Sequence, residues 1–284
     1  MMDERNKTLA AMLNGAYMEV IPTPSIFEHL VHIPRHHRVG VSCSPKHGIE
    51  PTLQLVERMS ALPEEERLSV IPHISARMVR NRKHLREILG RLDAAGVKTV
   101  FIPAGDRSEP IGDYSDSLQL LRDIAEAAHD VKDLGIAGYP EKHPLISDRD
   151  LTRYMQQKQP YATYIVTQMC FDACTIIDWL KGVREAGITL PCRIGLPGVA
   201  NPARLLKLSM QIGVGQSLRQ LKKQKGLLGK LLGARPYQPD HLLDGLHPFL
   251  PDPELNVSGF HLFSFNDVER TERWRAETYA KLIS

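Results

Sequence analysis

Cysteine is scarce in this chain, which has only four such residues in 284: Cys43, Cys170, Cys174 and Cys192. So few thiols do not build a disulfide scaffold, and Cys170 and Cys174 lack the paired spacing of a zinc site. No zinc motif is found, and neither a dinucleotide-binding glycine fingerprint nor a P-loop follows a predicted strand. We therefore expect reduced thiols, a cytoplasmic protein and no bound metal.

Long apolar runs and a strong excess of charge are also missing. No stretch reaches roughly 18 apolar residues, the length that a membrane-spanning helix needs, and the first twenty residues carry several charges. The formal net charge is only +3, too small for a general nucleic-acid footprint. We expect neither a membrane nor a nucleic acid as a partner, and the 42% hydrophobic composition indicates an ordinary globular protein.

Short apolar runs rich in β-branched residues recur along the chain. They predict eight strands: Tyr17–Ile21, Val39–Ser44, Ser69–Ile74, Thr99–Pro103, Gly135–Tyr139, Tyr164–Gln168, Cys192–Leu196 and Gly259–Phe263. Segments with helical spacing lie between them, such as Asn81–Ala95, Ser115–Ala128 and Cys174–Glu185. Glycines at 96, 135 and 187 follow helical patterns and are expected to end helices with positive φ.

Alternating strands and helices require parallel strands, and nearly continuous apolar strands are typical of sheets buried on both faces. Eight such units predict an α/β fold, a (β/α)8 TIM barrel, over an open doubly wound sheet. We expect residues 1–284 to form one domain. Residues 213–251 are expected to be a helical and proline-rich insertion before the last strand, with a predicted helix at Ser217–Ala234. The basic residues between Arg219 and Lys230 could meet a phosphate or form a solvated helix face.

In such a barrel the active site lies at the carboxyl ends of the strands, so polar residues there are candidate functional residues. The first strand carries Glu19, a carboxylate in an apolar run whose burial would raise its pKa toward a proton-donating range. A salt-bridged barrel residue is the alternative. His73 ends the third strand and, taken alone, fits a core histidine as well as a ligand.

Three further strands end in polar residues. After the fourth, Gly105 would let the backbone approach a flat ligand and Asp106 would point at it, unless Asp106 only caps a turn. After the fifth, two prolines stiffen a loop that carries Tyr139, Glu141 and His143. After the sixth, Gln168 offers both a donor and an acceptor, as reading a heterocyclic amide requires, whereas Asp172 is expected to cap the next helix.

These residues occur in an order that resembles the methylenetetrahydrofolate reductase family. The matching segments are Glu19 in the first strand, Gly105-Asp106, Tyr139–Pro144 in the pattern Tyr-Pro-Glu-x-His-Pro, and Thr167–Asp172 in the pattern Thr-Gln-x-x-Phe-Asp. The resemblance implies a barrel enzyme that reduces 5,10-methylenetetrahydrofolate to 5-methyltetrahydrofolate with NAD(P)H, usually through FAD. It implies catalytic and folate-binding roles for Glu19, Asp106 and Gln168.

The resemblance also implies a set of FAD contacts. The matching positions are His73, Gly105, Asp106, Tyr114, Ser115, Tyr139, His143 and Asp150. Three positions depart from the family pattern: Ala104 and Asp267 stand where arginine is common, and Arg153 is displaced within the basic cluster expected at the FAD phosphates.

Those departures keep two other functions open. One is a folate-binding methyl-transfer or one-carbon paralogue without hydride transfer. The other is a non-catalytic partner subunit of another enzyme. A homo-oligomer is compatible with each of these functions.

Overall fold

Eight parallel strands form the centre of the protein. The computed structural model describes residues 3–35, 37–143, 145–201, 205 and 236–284. Its strands are β1 Tyr17–Val20, β2 Arg38–Val41, β3 Ser69–Pro72, β4 Thr99–Phe101, β5 Asp133–Gly138, β6 Tyr164–Thr167, β7 Cys192–Pro197 and β8 Val257–Phe263. Each overlaps one of the eight predicted strands, so the strand predictions are confirmed.

The strands close into a barrel. Their order is β3-β2-β1-β8-β7-β6-β5-β4, and every pair in that order is parallel. The two ends of the sheet meet through a parallel bridge between His73 and Phe101, where Ile74 N–H donates to Phe101 O at 2.8 Å. The predicted (β/α)8 TIM barrel is therefore confirmed, and the open sheet is excluded.

Helices separate the strands along the chain. They are α1 Glu4–Asn14, α2 Ile26–His29, α3 Glu50–Ser60, α4 Arg82–Ala94, α5 Ser117–Glu126, α6 Asp148–Lys158, α7 Ala173–Glu185, α8 Asp240–Leu246 and α9 Val268–Ile283. Side-chain caps begin several of them: Asp172 Oδ2 accepts from Thr175 N–H, as predicted, and Asp116 caps α5 in the same way. None of the helices in the described ranges is both long and apolar enough to cross a membrane.

The core lies between the strands and the apolar faces of the helices. In α4 the residues at helical spacing, Leu85, Ile88, Leu89 and Leu92, are all buried. Each such side chain stabilises the fold by about 2 kcal/mol through burial alone. The 3.6-residue period in the sequence therefore indicated the buried face correctly.

Two of the three glycine predictions are confirmed. Gly96 and Gly187 follow α4 and α7 with φ values of 69° and 77°. The prediction for Gly135 was wrong, because this residue lies inside β5 and is not among the positive-φ glycines. Its lack of a side chain serves close packing instead, since a Cβ there would lie 2.3 Å from Cζ of Tyr164.

The predicted insertion is described only at its end. Its first part, including the predicted helix Ser217–Ala234 and the basic residues from Arg219 to Lys230, lies outside the described residues. Its last part contains α8, which buries Leu242, Leu243 and Leu246 and packs on α7. A Cβ at Gly245 would lie 2.7 Å from Ala173 Cβ, so glycine permits this close helix contact.

Candidate functional site at the strand ends

A carboxylate and two histidines meet inside the barrel. Glu19 Oε2 lies 2.8 Å from His261 Nε2, and His73 brings a ring nitrogen into the same group, with all three ligand-type atoms within 4.8 Å of one another. The β1–β8 register pairs Tyr17 with His261 and Glu19 with Phe263, so the Glu19 side chain meets the His261 ring diagonally across the two strands. We call Glu19, His73 and His261 the Glu–His cluster.

His261 was not predicted as a site residue. It stands in the apolar run Gly259–Phe263, just as Glu19 stands in the first apolar run, and that shared signal could have identified it. His261 is 3% exposed and His73 is 6% exposed. His73 Nε2 and His261 Nδ1 are buried and form no hydrogen bond within the described ranges. Buried polar atoms normally have partners, so these two nitrogens are candidates for contacting a ligand.

The electrostatics of Glu19 differ from the sequence-based expectation. Burial is the largest single influence and raises the pKa of its carboxyl, but the charge that His73 carries when protonated and the hydrogen bond from His261 together bring the pKa below its usual value. Burial therefore acts in the expected direction, but the net shift of the Glu19 pKa is downward. Burial also lowers the pKa of His73 to about 4, against the opposing influence of Glu19. His73 is thus neutral at pH 7.

Aromatic rings and a glycine shape the space around the Glu–His cluster. Phe101 packs edge-on against His73 with ring centroids 4.8 Å apart, and Phe263 packs against His261 at 4.9 Å. In β2, a Cβ at Gly40 would lie 3.2 Å from His73 Nε2 and 3.3 Å from His261 Cε1. Glycine at this position therefore leaves room for both rings.

A second group of predicted residues gathers after β4 and β5. Gly105 has a φ of 95°, and a Cβ there would lie 2.9 Å from Ser75 Cβ. Asp106 follows on the surface. The rings of Tyr139 and His143 meet edge to face, with centroids 5.1 Å apart. The fifth-strand loop thus holds these two side chains together.

Asp106 acts electrostatically on both rings. Burial and then the charge of Asp106 raise the pKa of Tyr139 to about 12. Burial lowers the pKa of His143, while Asp106 opposes that shift. Burial raises the pKa of Cys43, and Asp106 raises it further. The carboxylate of Asp106, which follows β4, therefore influences the pKa values of groups that follow β2 and β5.

The turn after β3 fixes this part of the β4 loop. Arg77 N–H donates to Ala104 O at 3.0 Å. The Arg77 guanidinium donates to Ser115 O at 2.8 Å and to Arg107 O at 2.6 Å. These bonds bracket Gly105 and Asp106 on both sides. Arg77 was not predicted as a site residue, because its bonds go to backbone carbonyls that no side-chain motif reveals.

Gln168 stands directly after β6 and is half-buried. Its backbone N–H donates to Gly138 O at 2.8 Å, and its side-chain Oε1 accepts from Met169 N–H at 2.9 Å. That bond orients the amide. Within the described ranges its Nε2 has no hydrogen-bond acceptor, so the amide can present its NH2 group as a donor to a ligand.

The three remaining predicted residues make local contacts. Tyr114 is buried and donates from its hydroxyl to Asp123 Oδ2 at 2.6 Å. Ser115 bonds Gln119 Oε1 through its N–H at 2.9 Å. Asp150 accepts from Ser147 Oγ at 2.7 Å and pairs with Arg153 Nη2 at 2.9 Å. The carboxylate expected near a phosphate group is thus already neutralised by a neighbour on its own helix.

The Glu–His cluster also has a donor set that suits a metal ion, with one carboxylate and two imidazoles. The expectation of no bound metal remains a prediction.

The candidate site as a whole is a barrel site of the kind found in enzymes, with polar residues from β1, β3, β4, β6 and β8 at or near the carboxyl ends of the strands.

Comparisons with known proteins identify the family. The methylenetetrahydrofolate reductase family model matches residues 40–220. Methylenetetrahydrofolate reductase 2 of Saccharomyces cerevisiae is 31% identical over 111 residues, which are 37% of this chain and 18% of that protein. A probable methylenetetrahydrofolate reductase (NADPH) of Caenorhabditis elegans is 26% identical over 179 residues, which are 61% of this chain and 23% of that protein. The matches thus span about a fifth of these relatives.

Solved structures with the same fold include an uncharacterized protein from Clostridium thermocellum, described as binding two copies of 5-methyl-5,6,7,8-tetrahydrofolic acid. It has a TM-score of 0.66 at 12% identity, with 98% of each chain covered. Tryptophan synthase from M. tuberculosis has a TM-score of 0.50 at 12% identity, with 98% of this chain and 97% of that chain covered. At such identities the likeness shows the barrel fold.

Because the family model matches more than half of the chain, this protein belongs to the methylenetetrahydrofolate reductase family. The resemblance inferred from the strand-end motifs is therefore confirmed.

Proposed function

We propose that this protein is a folate-dependent oxidoreductase that reduces 5,10-methylenetetrahydrofolate to 5-methyltetrahydrofolate with NAD(P)H. The observation that carries the proposal is the partly buried Glu19 near the end of β1, bonded to His261 at 2.8 Å in a barrel of this family. Opening the bridged ring of the substrate requires a proton on the leaving nitrogen. Glu19 would supply it in its protonated form, although His73 and His261 lower the pKa of its carboxyl.

Asp106 and Gln168 complete the proposed catalytic set. Ring opening leaves a cationic iminium, and the carboxylate of Asp106 would stabilise that charge. Gln168 would hydrogen-bond the pterin through the NH2 group that its bond with Met169 leaves oriented. This contact holds the one-carbon unit where the hydride arrives, which is a positioning role. Glu19, Asp106 and Gln168 are therefore also the proposed folate-binding residues.

The residues at the family's FAD positions fit only part of that cofactor. A flat isoalloxazine needs aromatic rings to pack on and a backbone that it can approach closely. The rings would be those of His73, Tyr139 and His143, and Gly105 would allow the close approach. The diphosphate would need cations or free N–H donors. At that end Asp150 is paired with Arg153, and Tyr114 is bonded to Asp123. The described residues therefore do not fit the whole of FAD.

An assay and a spectrum of the purified full chain test the proposal. Oxidation of NADH or NADPH should depend on added 5,10-methylenetetrahydrofolate, and the absorbance spectrum with and without FAD reports whether flavin takes part. Asp106→Asn and Gln168→Ala should each lower the rate by about 100-fold or more. Glu185→Gln, an exposed carboxylate of α7, is the matched control and should leave the rate unchanged. Equal rates in all variants would refute the site assignment.

A second candidate function is binding or transfer of a folate-borne one-carbon group without hydride transfer. The observation in its favour is the poor fit of the diphosphate end, where Asp150 has its own cation. The solved Clostridium thermocellum relative in fold is described as binding 5-methyltetrahydrofolic acid. Calorimetric binding of 5-methyltetrahydrofolate by a protein that oxidises neither nicotinamide would favour this function. Cytoplasmic location, a homo-oligomeric state and one domain over 1–284 remain predictions.

A further inference from the structure

The bond between His261 and Glu19 makes the two carboxylate oxygens of Glu19 chemically different. Glu19 Oε2 is 2.8 Å from His261 Nε2, whereas Oε1 forms no hydrogen bond within the described ranges. The Glu19 side chain keeps 16% of its surface exposed, and that of His261 only 3%. The carboxyl group is therefore held at one oxygen by a buried ring, while the Glu19 side chain stays partly exposed.

Burial selects the tautomer of His261. Its Nδ1 is enclosed and has no hydrogen-bond partner among the described residues. A proton on Nδ1 would be an unsatisfied buried donor, which is unfavourable. A proton on Nε2 instead makes a charge-assisted bond to Glu19. The neutral ring with N–H on Nε2 is thus the favoured form.

His73 also lies beside Glu19 but forms no hydrogen bond with it within the described ranges. Its Nε2 is buried without a partner, and its ring lies 5.9 Å from that of His261. His73 on the β3 side and His261 on β8 are the titratable groups that act on Glu19. Because burial keeps His73 neutral near pH 7, the N–H of His261 is the nearest donor to the carboxylate at that pH.

We propose that His261 is a positioning residue for the proton donor: its Nε2–H holds Glu19 Oε2, so that Oε1 carries the proton given to the substrate. The inference rests on the proposed reduction of 5,10-methylenetetrahydrofolate.

The proposed step balances without another reagent. The O–H bond at Oε1 breaks as an N–H bond forms on the leaving nitrogen of the substrate ring, and the C–N bond to that nitrogen breaks. The carboxylate that remains accepts the hydrogen bond from His261, which limits the cost of the buried charge. The hydride then comes from NAD(P)H, which is oxidised, and solvent returns a proton to Glu19.

Two substitutions separate positioning from simple packing. His261→Gln keeps an N–H donor near the place of Nε2, whereas His261→Ala removes it. On the low-pH plateau, where Glu19 is protonated in both proteins, we expect His261→Ala to lower kcat by about 100-fold, the lower end of what a positioned general acid contributes, with KM nearly unchanged. His261→Gln should recover at least about a tenth of the wild-type kcat.

The pH profile gives a readout that packing alone would not move. Only protonated Glu19 donates, so kcat falls as pH rises through the pKa of Glu19. The N–H of His261 favours the charged carboxylate and lowers that pKa. In His261→Ala the falling limb should therefore move to higher pH, and in His261→Gln it should return toward the wild-type position. A limb that stays in place in His261→Ala would overturn the proposal, as would unchanged kcat.

Nitrogen NMR of ¹⁵N-histidine-labelled wild-type protein tests the bond without any activity. His261, assigned by its absence in His261→Gln, should be neutral with its proton on Nε2, and Glu19→Gln should shift that signal. A proton on Nδ1 would overturn the proposal even if His261→Ala fails to fold. So would Zn²⁺ bound at one equivalent by the wild type and lost in His261→Gln, because the metal would need the lone pair of Nε2.

Different results would refute the proposed function and the role of His261. A wild-type protein with the Nε2–H tautomer but no folate-dependent oxidation of NADH or NADPH would refute the proposed function and leave the His261–Glu19 bond supported. An active wild type with a fully active His261→Ala variant would refute only the role of His261.

Discussion

Gly40 of β2 leaves the space that the ring of His73 occupies, because a Cβ at residue 40 would lie 3.2 Å from His73 Nε2. The same Cβ would lie 3.3 Å from the ring of His261. The two histidines of the Glu–His cluster thus depend on one residue that contributes no side chain.

Gly40→Ala should therefore displace one or both rings. We expect a loss of stability of about 1–3 kcal/mol from overpacking. Folate-dependent activity should fall by roughly 10- to 100-fold, since a displacement of about 1 Å in a site can cost that much. Chemical denaturation and steady-state kinetics measure the two effects. Gly182→Ala in α7 is the control, because a Cβ there meets nothing within 4 Å, and it should stabilise the protein by about 0.4–1 kcal/mol.

The buried His73 predicts a specific dependence of stability on acid. In the unfolded chain it takes up a proton below about pH 6.5, whereas in the folded protein its pKa is about 4. The unfolded state therefore binds more protons between these values, and the free energy of unfolding falls as pH drops from about 6.5 to about 4. The full loss from this residue is about 3 kcal/mol.

Urea unfolding at a series of pH values checks this dependence. His73→Gln should make the free energy of unfolding depend less steeply on pH between 6.5 and 4. The slope should change by the equivalent of about one bound proton at most. Glu19 affects stability at lower pH than His73 does. Its pKa is lowered from 4.5 in the folded protein, so its contribution to the free energy of unfolding is lost only as pH falls through that lowered pKa. His47→Gln, at an exposed position, serves as the control, and an equally shallow curve for it would contradict the assignment to His73.

Asp106 should control the ionisation of two rings in the β5 loop. Its charge raises the pKa of Tyr139, which burial and Asp106 together bring to about 12, and it opposes the lowering of the pKa of His143. Asp106→Asn should thus lower both pKa values. Ultraviolet titration of the phenolate, assigned with Tyr139→Phe, and NMR titration of His143 would measure them. Asp130→Asn, which removes a surface carboxylate paired with Lys98, should change neither.

The architecture could be predicted from local sequence patterns because apolar runs and apolar spacing indicate directly which residues are buried. Apolar runs marked all eight strands, and the 3.6-residue spacing in α4 marked the buried face. Gly135 shows the limit of such signals: a Leu-Gly pair before a strand looks like a helix end, yet the glycine serves packing against Tyr164. Sequence spacing does not reveal which ring a strand residue will meet.

The candidate site was predicted in part for the same reason. Glu19, Asp106 and Gln168 stand in recognisable strand-end motifs. His261 was missed because its partner Glu19 is 242 residues away in sequence and the two meet only when β8 closes on β1. The net direction of the pKa shift of Glu19 could not be predicted, because burial can be inferred from an apolar run, whereas the opposing charge of His73 and the hydrogen bond from His261 cannot.

Two arginine–glutamate pairs on α9 have the same separation and should differ widely in their effect on stability. Arg275 Nη2 lies 2.6 Å from Glu272 Oε1, with side chains 5% and 9% exposed. Arg273 Nη2 lies 2.6 Å from Glu269 Oε1, with side chains 62% and 53% exposed. Arg275→Ala leaves a buried carboxylate without its cation and also removes a bond to Leu13 O, so unfolding should be easier by about 3–5 kcal/mol. Arg273→Ala should cost less than about 1 kcal/mol, because water screens that pair. Urea unfolding at pH 7 compares the two variants, and similar losses would show that burial does not decide the strength of the contact.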